Sequence, residues 1–539
     1  MKRIVLAVAL IGSQAWAQPK KPVPRPSPDA GEKKGGTPFV EDTKQPDDPY
    51  AEPPPKKADP PAKKAPAEPP LPPGVPPRKQ PTDPLPPAKK APADAAPVPA
   101  KKQPTDPLPP AKKAPDAPPA PPVPAKKGDP NAAKAPEDPY GAAVPPRIGL
   151  TDVAAVQGLL AVQRLDGWLL FDRDGENPIA KQLVAPDGHP THAWFYLVAA
   201  QGSPTALFHI SEAKSFEKLP GKKIAYEGYR DFDKALKEAL KGVRTVALEY
   251  SPKASVPAVS RIDAGTLEVI RAVGVQVKSS DTLVQYTKAM WGDAGRTAHH
   301  VAAHHLVELR KEALNWLAMK IAQGTPVTEY DVQQRLAHGM TMRGLVGPPP
   351  MVAAAANTAD PYYAPTAAKT RPISRGDLIV VTVAGKLDKP DGIFAEHTWL
   401  AVADTVVAAP IASAFALARQ ARDAALAQIT ARSVKHRPIT GAEVDDATRA
   451  LIKKAGMGDK IMHRTGHSLD NDLQGSGADL DDFETKDTRI LLPGTGFTVG
   501  PGLYFAGSFG VRAEVSAYLA PGGPEITTPA QDEIETLLK

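Results

Sequence analysis

The chain has 539 residues, 42% of them hydrophobic, with 64 prolines, no cysteine and a formal net charge of +6. With no cysteine, disulfides and thiolate metal ligands are excluded, and stability rests on core burial. Of the 64 prolines, 42 precede Ile148, so the packed part is about 390 residues, enough for two domains. Residues 18–147 carry 22 basic and 16 acidic side chains, which together with Lys2 and Arg3 leave the remainder at −2. That argues against a nucleic-acid-binding globular domain, because phosphate contacts need a basic folded face.

Residues 1–17 carry Lys2 and Arg3, then the apolar run Ile4 to Ile11, then Ala15-Trp16-Ala17. A basic start, a short apolar run and an A-x-A ending predict a signal peptide cleaved near Gln18, and hence a periplasmic or secreted protein. No cysteine follows that run to carry a lipid, and no later apolar run approaches the ~20 residues that span a bilayer. Residues 18–147 are rich in Pro, Ala and Lys and repeat KQPTDPLPPAKKAP at Lys79–Pro92 and Lys102–Pro115. Such a segment has too few apolar side chains to offset the entropy of ordering and is expected to be a disordered, locally polyproline II tether. Its Lys-Lys pairs suit contact with a cell-wall polymer or an anionic surface, although a solvated spacer is the simpler account.

From 148 to about 290, the runs GWLLFD, HAWFYLVAA, TALFHI, TVALEYS and GVQVKSS read as strands, with VAAVQGLLAVQRL and DFDKALKEALKG as helices between them. This pattern predicts an α/β domain with a mixed sheet. From 291 to 539 the expected elements are a long helix over 293–323 and a second helix that opens near Glu329 and Tyr330. A loop over 347–366, strands over 378–384 and 393–403, and helices over 407–433 and 439–455 follow. A strand-rich segment from 463 to 519 closes a compact α+β domain. In the long helix His300 and His304 stand one turn apart, a spacing at which two imidazoles can share a metal, but an exposed polar face is the simpler account of His299, His300, His304 and His305.

The segment His463 to Tyr518 is the chemically richest. His463 and His467 precede, and Arg512 and Glu514 follow, a Gly/Pro-punctuated hairpin-like stretch that brings them together. Convergent His and Glu suit a metal or acid-base site. Core histidines and a partly buried Arg512–Glu514 ion pair are the structural alternative.

The motifs HRTGHSL, ETKDTRILLPGT, PGLY and FGVRAEV resemble those of the pita-bread metallopeptidases, nearest to their bacterial Xaa-Pro peptidase-like branch. GWLLFD, Trp194-Phe-Tyr196, Ala247 to Pro252 and Ser260 to Gly265 resemble the N-terminal domain of the same creatinase, aminopeptidase P and prolidase family. The resemblance implies a creatinase-like α/β domain over 148–290, a pita-bread domain over 291–539, and a homodimer. It also implies a site with two divalent ions (Mn, Co or Zn) held by two Asp, one His and two Glu, which share a water and polarise the scissile carbonyl.

Carried over residue by residue, that ligand set is incomplete. The first Asp position holds Thr382, and the first Glu position holds Gly500. The second Asp position holds Glu396, which keeps the charge but extends the carboxylate by about 1.5 Å. His467 and Glu514 match the family. Two family histidine positions hold Tyr362 and Gln474, neither of which titrates near neutrality. The expectation is therefore no metal, or one weakly bound divalent ion held by Glu396, His467 and Glu514. The function expected is a catalytically degenerate Xaa-Pro aminopeptidase-like module that binds a peptide or small molecule. The alternative is an aminopeptidase or amidohydrolase that uses one ion or none, with His467 as its catalytic base.

Overall fold

The computed structural model describes residues 144–538. The expected signal peptide and the expected tail up to residue 143 lie outside the described residues.

Asp152 accepts a hydrogen bond from the Ala155 N–H and so caps α1 (Val153–Gln163). Then come β1 (Gly167–Asp172), α2 (Pro178–Val184), β2 (Trp194–Ala199), β3 (Thr205–His209), β4 (Lys222–Tyr226), α3 (Tyr229–Ala239), β5 (Thr245–Leu248), α4 (Ala264–Ala272) and β6 (Gln276–Ser279). They form one six-stranded sheet in the order β4-β3-β2-β1-β5-β6. It is mixed, as expected, because β1 runs antiparallel to β2 and parallel to β5. Alternation along β1 sends Trp168 and Leu170 into the core under α1 and α2, and Leu169 and Phe171 into the core under α3 and α4. The strand β4 was not foreseen, since it begins with two lysines at the sheet edge and buries only Ile224 and Tyr226.

Just beyond β5, Glu249 is buried at the heart of this sheet. Its carboxylate accepts from Trp168 Nε1 (2.7 Å), Ser280 Oγ (3.1 Å) and Asn177 Nδ2 (3.2 Å). Burial pushes the Glu249 carboxyl up to about 7 against these three donors.

After α5 (Asp281–Val284), Lys288 is completely buried and bonds Asp470 Oδ1 at 2.8 Å and Asp472 Oδ2 at 2.9 Å. Trp291 Nε1 donates to the Leu469 carbonyl at 2.7 Å, so the segment just after His467 is anchored to the end of the first sheet region.

The remainder begins with α6 (Gly292–Ala322), α7 (Glu329–Met342), β7 (Leu345–Val346), β8 (Met351–Ala354), β9 (Leu378–Leu387) and β10 (Ala395–Val402). It continues through α8 (Ala409–Ser433), α9 (Gly441–Lys454), β11 (Ser468–Leu469), β12 (Gly496–Val499), β13 (Gly502–Phe505), β14 (Phe509–Arg512), β15 (Val515–Ala520), β16 (Gly523–Ile526) and β17 (Glu535–Thr536). The Thr328/Asp331 and Thr440/Glu443 capping boxes fix the starts of α7 and α9. The sheets are β17-β10-β9-β7 with β8 also on β9, β11-β12-β15-β16, and the hairpin β13-β14. No helix among the described residues is long and apolar enough to cross a membrane.

Two expectations are corrected here. The span 347–366 is not all loop: Met351–Ala354 pairs antiparallel with β9, which its flanking prolines and alanines disguise. His299 is not on an exposed face but fully buried, with Nδ1 at 2.8 Å from the Phe394 carbonyl and Nε2 at 2.7 Å from Thr527 Oγ1. Burial pulls its imidazole down to about 3. His300 and His304 are exposed.

Candidate functional site

Strand alternation decides which side chains can meet. On β9, Ile379, Val381 and Val383 pack against α6 and α7, so Thr382 faces the opposite side. The antiparallel register pairs Thr398 of β10 directly with Thr382, and sets Glu396 on the same face while His397 turns towards α6. Ser516 of β15 donates its hydroxyl to the Glu396 carbonyl (2.8 Å) and accepts from the Glu396 N–H (3.1 Å), which locks the two sheets together behind the site. Gly466 and Gly500 permit the remaining approach: a Cβ on Gly466 would lie 1.9 Å from the Thr498 carbonyl oxygen, and one on Gly500 would lie 2.8 Å from both Cγ and Oε2 of Glu514.

The result is a cavity of about 490 Å³, of small-molecule size. Thr382, Glu396, His467, Gly500 and Glu514 all line it, as do Tyr362, Gln474, His463 and Arg512. Pro348, Pro349, Met351, Pro361, Tyr363 and Leu473 give it an apolar wall. Tyr362 stands at its edge, 69% exposed.

Inside the cavity the polar groups form three sets. In the first, His467 Nε2 is 2.9 Å from Glu396 Oε2, and His467 Nδ1 is 3.1 Å from the Ser468 carbonyl. Both ring neighbours are acceptors, so the ring carries both protons, an imidazolium facing a carboxylate. Burial works to raise the Glu396 carboxyl, but the bond and charge of His467, then Arg512 and Arg464, hold it below its ordinary value. Burial likewise works against His467, which Glu396 and then Asp479 lift above the ordinary imidazole range.

In the second set, Thr398 donates to Glu514 Oε1 at 2.8 Å, and Thr382 Oγ1 lies 2.8 Å from Thr398 Oγ1. Because Thr398 spends its one proton on the carboxylate, Thr382 is the donor to Thr398. Burial, and next the charge of Glu396, push the Glu514 carboxyl up to about 7, with Arg512 opposing.

In the third, His463 Nδ1 donates to the Arg464 carbonyl at 2.7 Å, which leaves Nε2 to accept from Tyr504 OH (2.7 Å) and Arg512 Nη2 (3.3 Å). Arg512 Nε donates to Tyr504 OH at 3.2 Å. Burial, and then Arg512, pull His463 down to about 3, so it stays neutral. Arg464 is enclosed by Asp479 (3.2 Å), Asp481 (3.7 Å) and Glu484 (3.8 Å) and also bonds Gln474.

Among the described residues no group of three or more His, Cys, Asp or Glu side chains stands in position to hold a metal ion. The sequence reading missed Thr398, Tyr504 and Arg464 as members of the site. The signal for Thr398 was its place two residues after Glu396 on an expected strand, which puts both on one face.

The fold and part of the sequence are shared with known peptidases. The chain is 27% identical to the "Probable dipeptidase PepE" of Mycobacterium tuberculosis over 201 residues, 35% of this chain and 46% of that protein. It is 24% identical to the Xaa-Pro dipeptidase of Pyrococcus furiosus over 335 residues, 60% of this chain and 82% of that protein. The match thus spans about half the length of the first of these relatives. The crystal structure of dipeptidase PepE from Mycobacterium ulcerans superposes with a TM-score of 0.56 at 20% identity, covering 72% of this chain and 97% of that one. X-Pro aminopeptidase from Thermotoga maritima gives 0.51 at 17% identity, with 71% and 99% covered. At these identities the structural likeness shows the fold, the pita-bread architecture behind an α/β domain. Residues 293–519 match the family model of metallopeptidase family M24.

Proposed function

We propose that this protein is a binding module built on an M24 peptidase scaffold, whose cavity receives a peptide or small molecule without a pair of metal ions to hydrolyse it. The supporting observation is the donor set. M24 enzymes usually hold divalent ions such as Mn, Co or Zn, and two adjacent ions need several carboxylates to bridge and terminate them. Here Thr382 offers a hydroxyl already given to Thr398, Gly500 offers no side chain, Glu396 is taken up by His467, and Glu514 accepts from Thr398. These residues do not fit a bridged pair of ions.

A second reading, a hydrolase with one ion or none, draws on the His467–Glu396 pair and on a Glu514 carboxyl raised to about 7, since both hold protons near neutral pH. Elemental analysis after chelation and reloading with Mn, Co or Zn, paired with Xaa-Pro dipeptide hydrolysis, separates the two. Less than one equivalent and no turnover are expected. One equivalent with turnover abolished by His467→Ala would establish the second reading instead, and two equivalents would sink both.

From the first 17 residues we further propose export to the periplasm or beyond, with residues 18–147 as a tether, and from the resemblance to prolidases a homodimer. Cell fractionation with and without residues 18–147, and light scattering of the mature chain, test these points.

A further inference from the structure

Glu329 opens α7 and is completely buried. Its carboxylate accepts from four groups of one stretch of chain, 354–371. Oε1 takes the Ala354 N–H at 2.7 Å and Asn357 Nδ2 at 2.9 Å, while Oε2 takes the Tyr363 hydroxyl at 2.6 Å and the Arg371 N–H at 3.1 Å. Ala354 and Arg371 are the two ends of that stretch, and they also meet directly, with Arg371 Nη1 at 3.3 Å from the Ala354 carbonyl oxygen. Asn357 and Tyr363 come from its middle. One carboxylate therefore ties both the neck and the body of a closed loop.

That loop is a wall of the cavity, to which it contributes Pro361, Tyr362, Tyr363 and Ala364. Burial alternates along 361–365, so Tyr363 turns in to Glu329 while Tyr362 turns out to the cavity's edge. On its other side the loop is held by Thr358, whose hydroxyl accepts from the Gly510 N–H at 2.9 Å, on the strand β14 that also carries Arg512. A Cβ on Gly510 would lie 2.2 Å from the Thr358 carbonyl oxygen, so hairpin and loop are in close contact there. Beyond a short 3-10 turn at Ala355–Ala359 the loop has no regular structure, which puts its shape on these side-chain anchors.

We propose that Glu329 is a positioning residue for the cavity: by holding the loop at neck and body it sets Tyr362 at the entrance and so limits the size of what enters. This rests on the reading of the cavity as a binding site, and it adds what fixes the entrance. All four partners are donors, so both oxygens must accept, which a carboxylate does and an amide does not. In Glu329→Gln the NH2 group faces the N–H of either Ala354 or Arg371, whichever way the amide lies, and one end of the neck is released. In Tyr363→Phe the neck stays and only a tie to the body is cut.

The test uses the absence of cysteine from the sequence. In the full-length protein, Thr382→Cys puts a single thiol on the cavity wall, and Val434→Cys puts one on the surface just beyond α8, where the residue is 63% exposed, as a control. Each is treated with small methyl methanethiosulfonate and with bulky dipyridyl disulfide, and the ratio of the two rates is read. At residue 382, Glu329→Gln is expected to raise the bulky-to-small ratio about 10-fold and Tyr363→Phe about 3-fold, in proteins whose melting remains cooperative. At residue 434 the ratio is expected to stay unchanged. An unchanged ratio at 382 in both variants overturns the proposal. So does an equal rise at 382 and 434, which would report general loosening of the fold. If Glu329→Gln fails to fold, Tyr363→Phe decides by the same criterion. The thiol reports entry whether or not a ligand or metal is bound. Turnover by the metal-loaded wild-type protein would thus count against a non-catalytic module and leave the rate ratios intact, so the two failures are distinguishable.

Discussion

Two buried carboxylates, Glu249 in the first sheet region and Glu514 in the second, are both raised to about 7. Glu249 is enclosed, 1% exposed, with three donors drawn from three parts of the chain. Glu514 has one hydroxyl donor, a guanidinium at 3.6 Å, a second carboxylate near enough to raise it, and a cavity in front. The same displacement therefore has a structural meaning in one place and a chemical one in the other. A raised carboxyl marks a site only where a ligand can reach it.

The comparison is broken most severely by removing Glu249. Glu249→Ala leaves Trp168 Nε1, Asn177 Nδ2 and Ser280 Oγ without their acceptor in a dry core, and is expected to cost about 3–5 kcal/mol in urea unfolding. Removal of the Lys288 ammonium is next: Lys288→Met strands Asp470, itself completely buried, and is expected to cost about 3 kcal/mol.

The pH dependence sharpens the contrast further. Because the folded Glu249 carboxyl sits above its unfolded value of 4.5, the native state binds more protons between pH 4.5 and about 7. Stability from this group is full below that window and is lost as pH rises through it, by on the order of 3 kcal/mol. Glu249→Gln is expected to flatten that slope, and an unchanged slope would count against the burial account.

A smaller effect is expected in the cavity. Thr398→Val removes the donor to Glu514, but water reaches the site, so about 1 kcal/mol is expected. The smallest belongs to Tyr362→Ala, which should change the unfolding free energy by less than about 0.5 kcal/mol because the ring is 69% exposed, while still altering ligand affinity.

Much of this was legible in the sequence. GWLLFD is β1 to the residue, because Gly167 and four large apolar residues run unbroken between Asp166 and Asp172 and leave no helical period. The meeting of His463 and His467 with Arg512 and Glu514 was readable from the turn residues between them, and the hairpin β13-β14 is what carries the chain back. Strand register was not readable. Nothing local says that Thr398 lies opposite Thr382, and that pairing turns a lost ligand position into a hydroxyl chain. Arg464 was equally opaque, since its three carboxylates lie 15 to 20 residues further along an irregular segment. Restoring the two missing carboxylates by Thr382→Asp with Gly500→Glu meets an obstacle visible only in three dimensions. Any side chain at 500 runs into Glu514 at 2.8 Å, so the second substitution displaces the very carboxylate it was meant to join.

The anchoring of the segment after His467 has a mechanical consequence. Leu469, Asp470 and Asp472 are held by Trp291 and Lys288, which stand at the end of the first sheet region, while His467 is only two residues away. The backbone there acts as a short, stiff lever. A tilt of the six-stranded region would be delivered both to the imidazole that faces Glu396 and, through Asp472, to the adjoining Leu473 on the cavity wall.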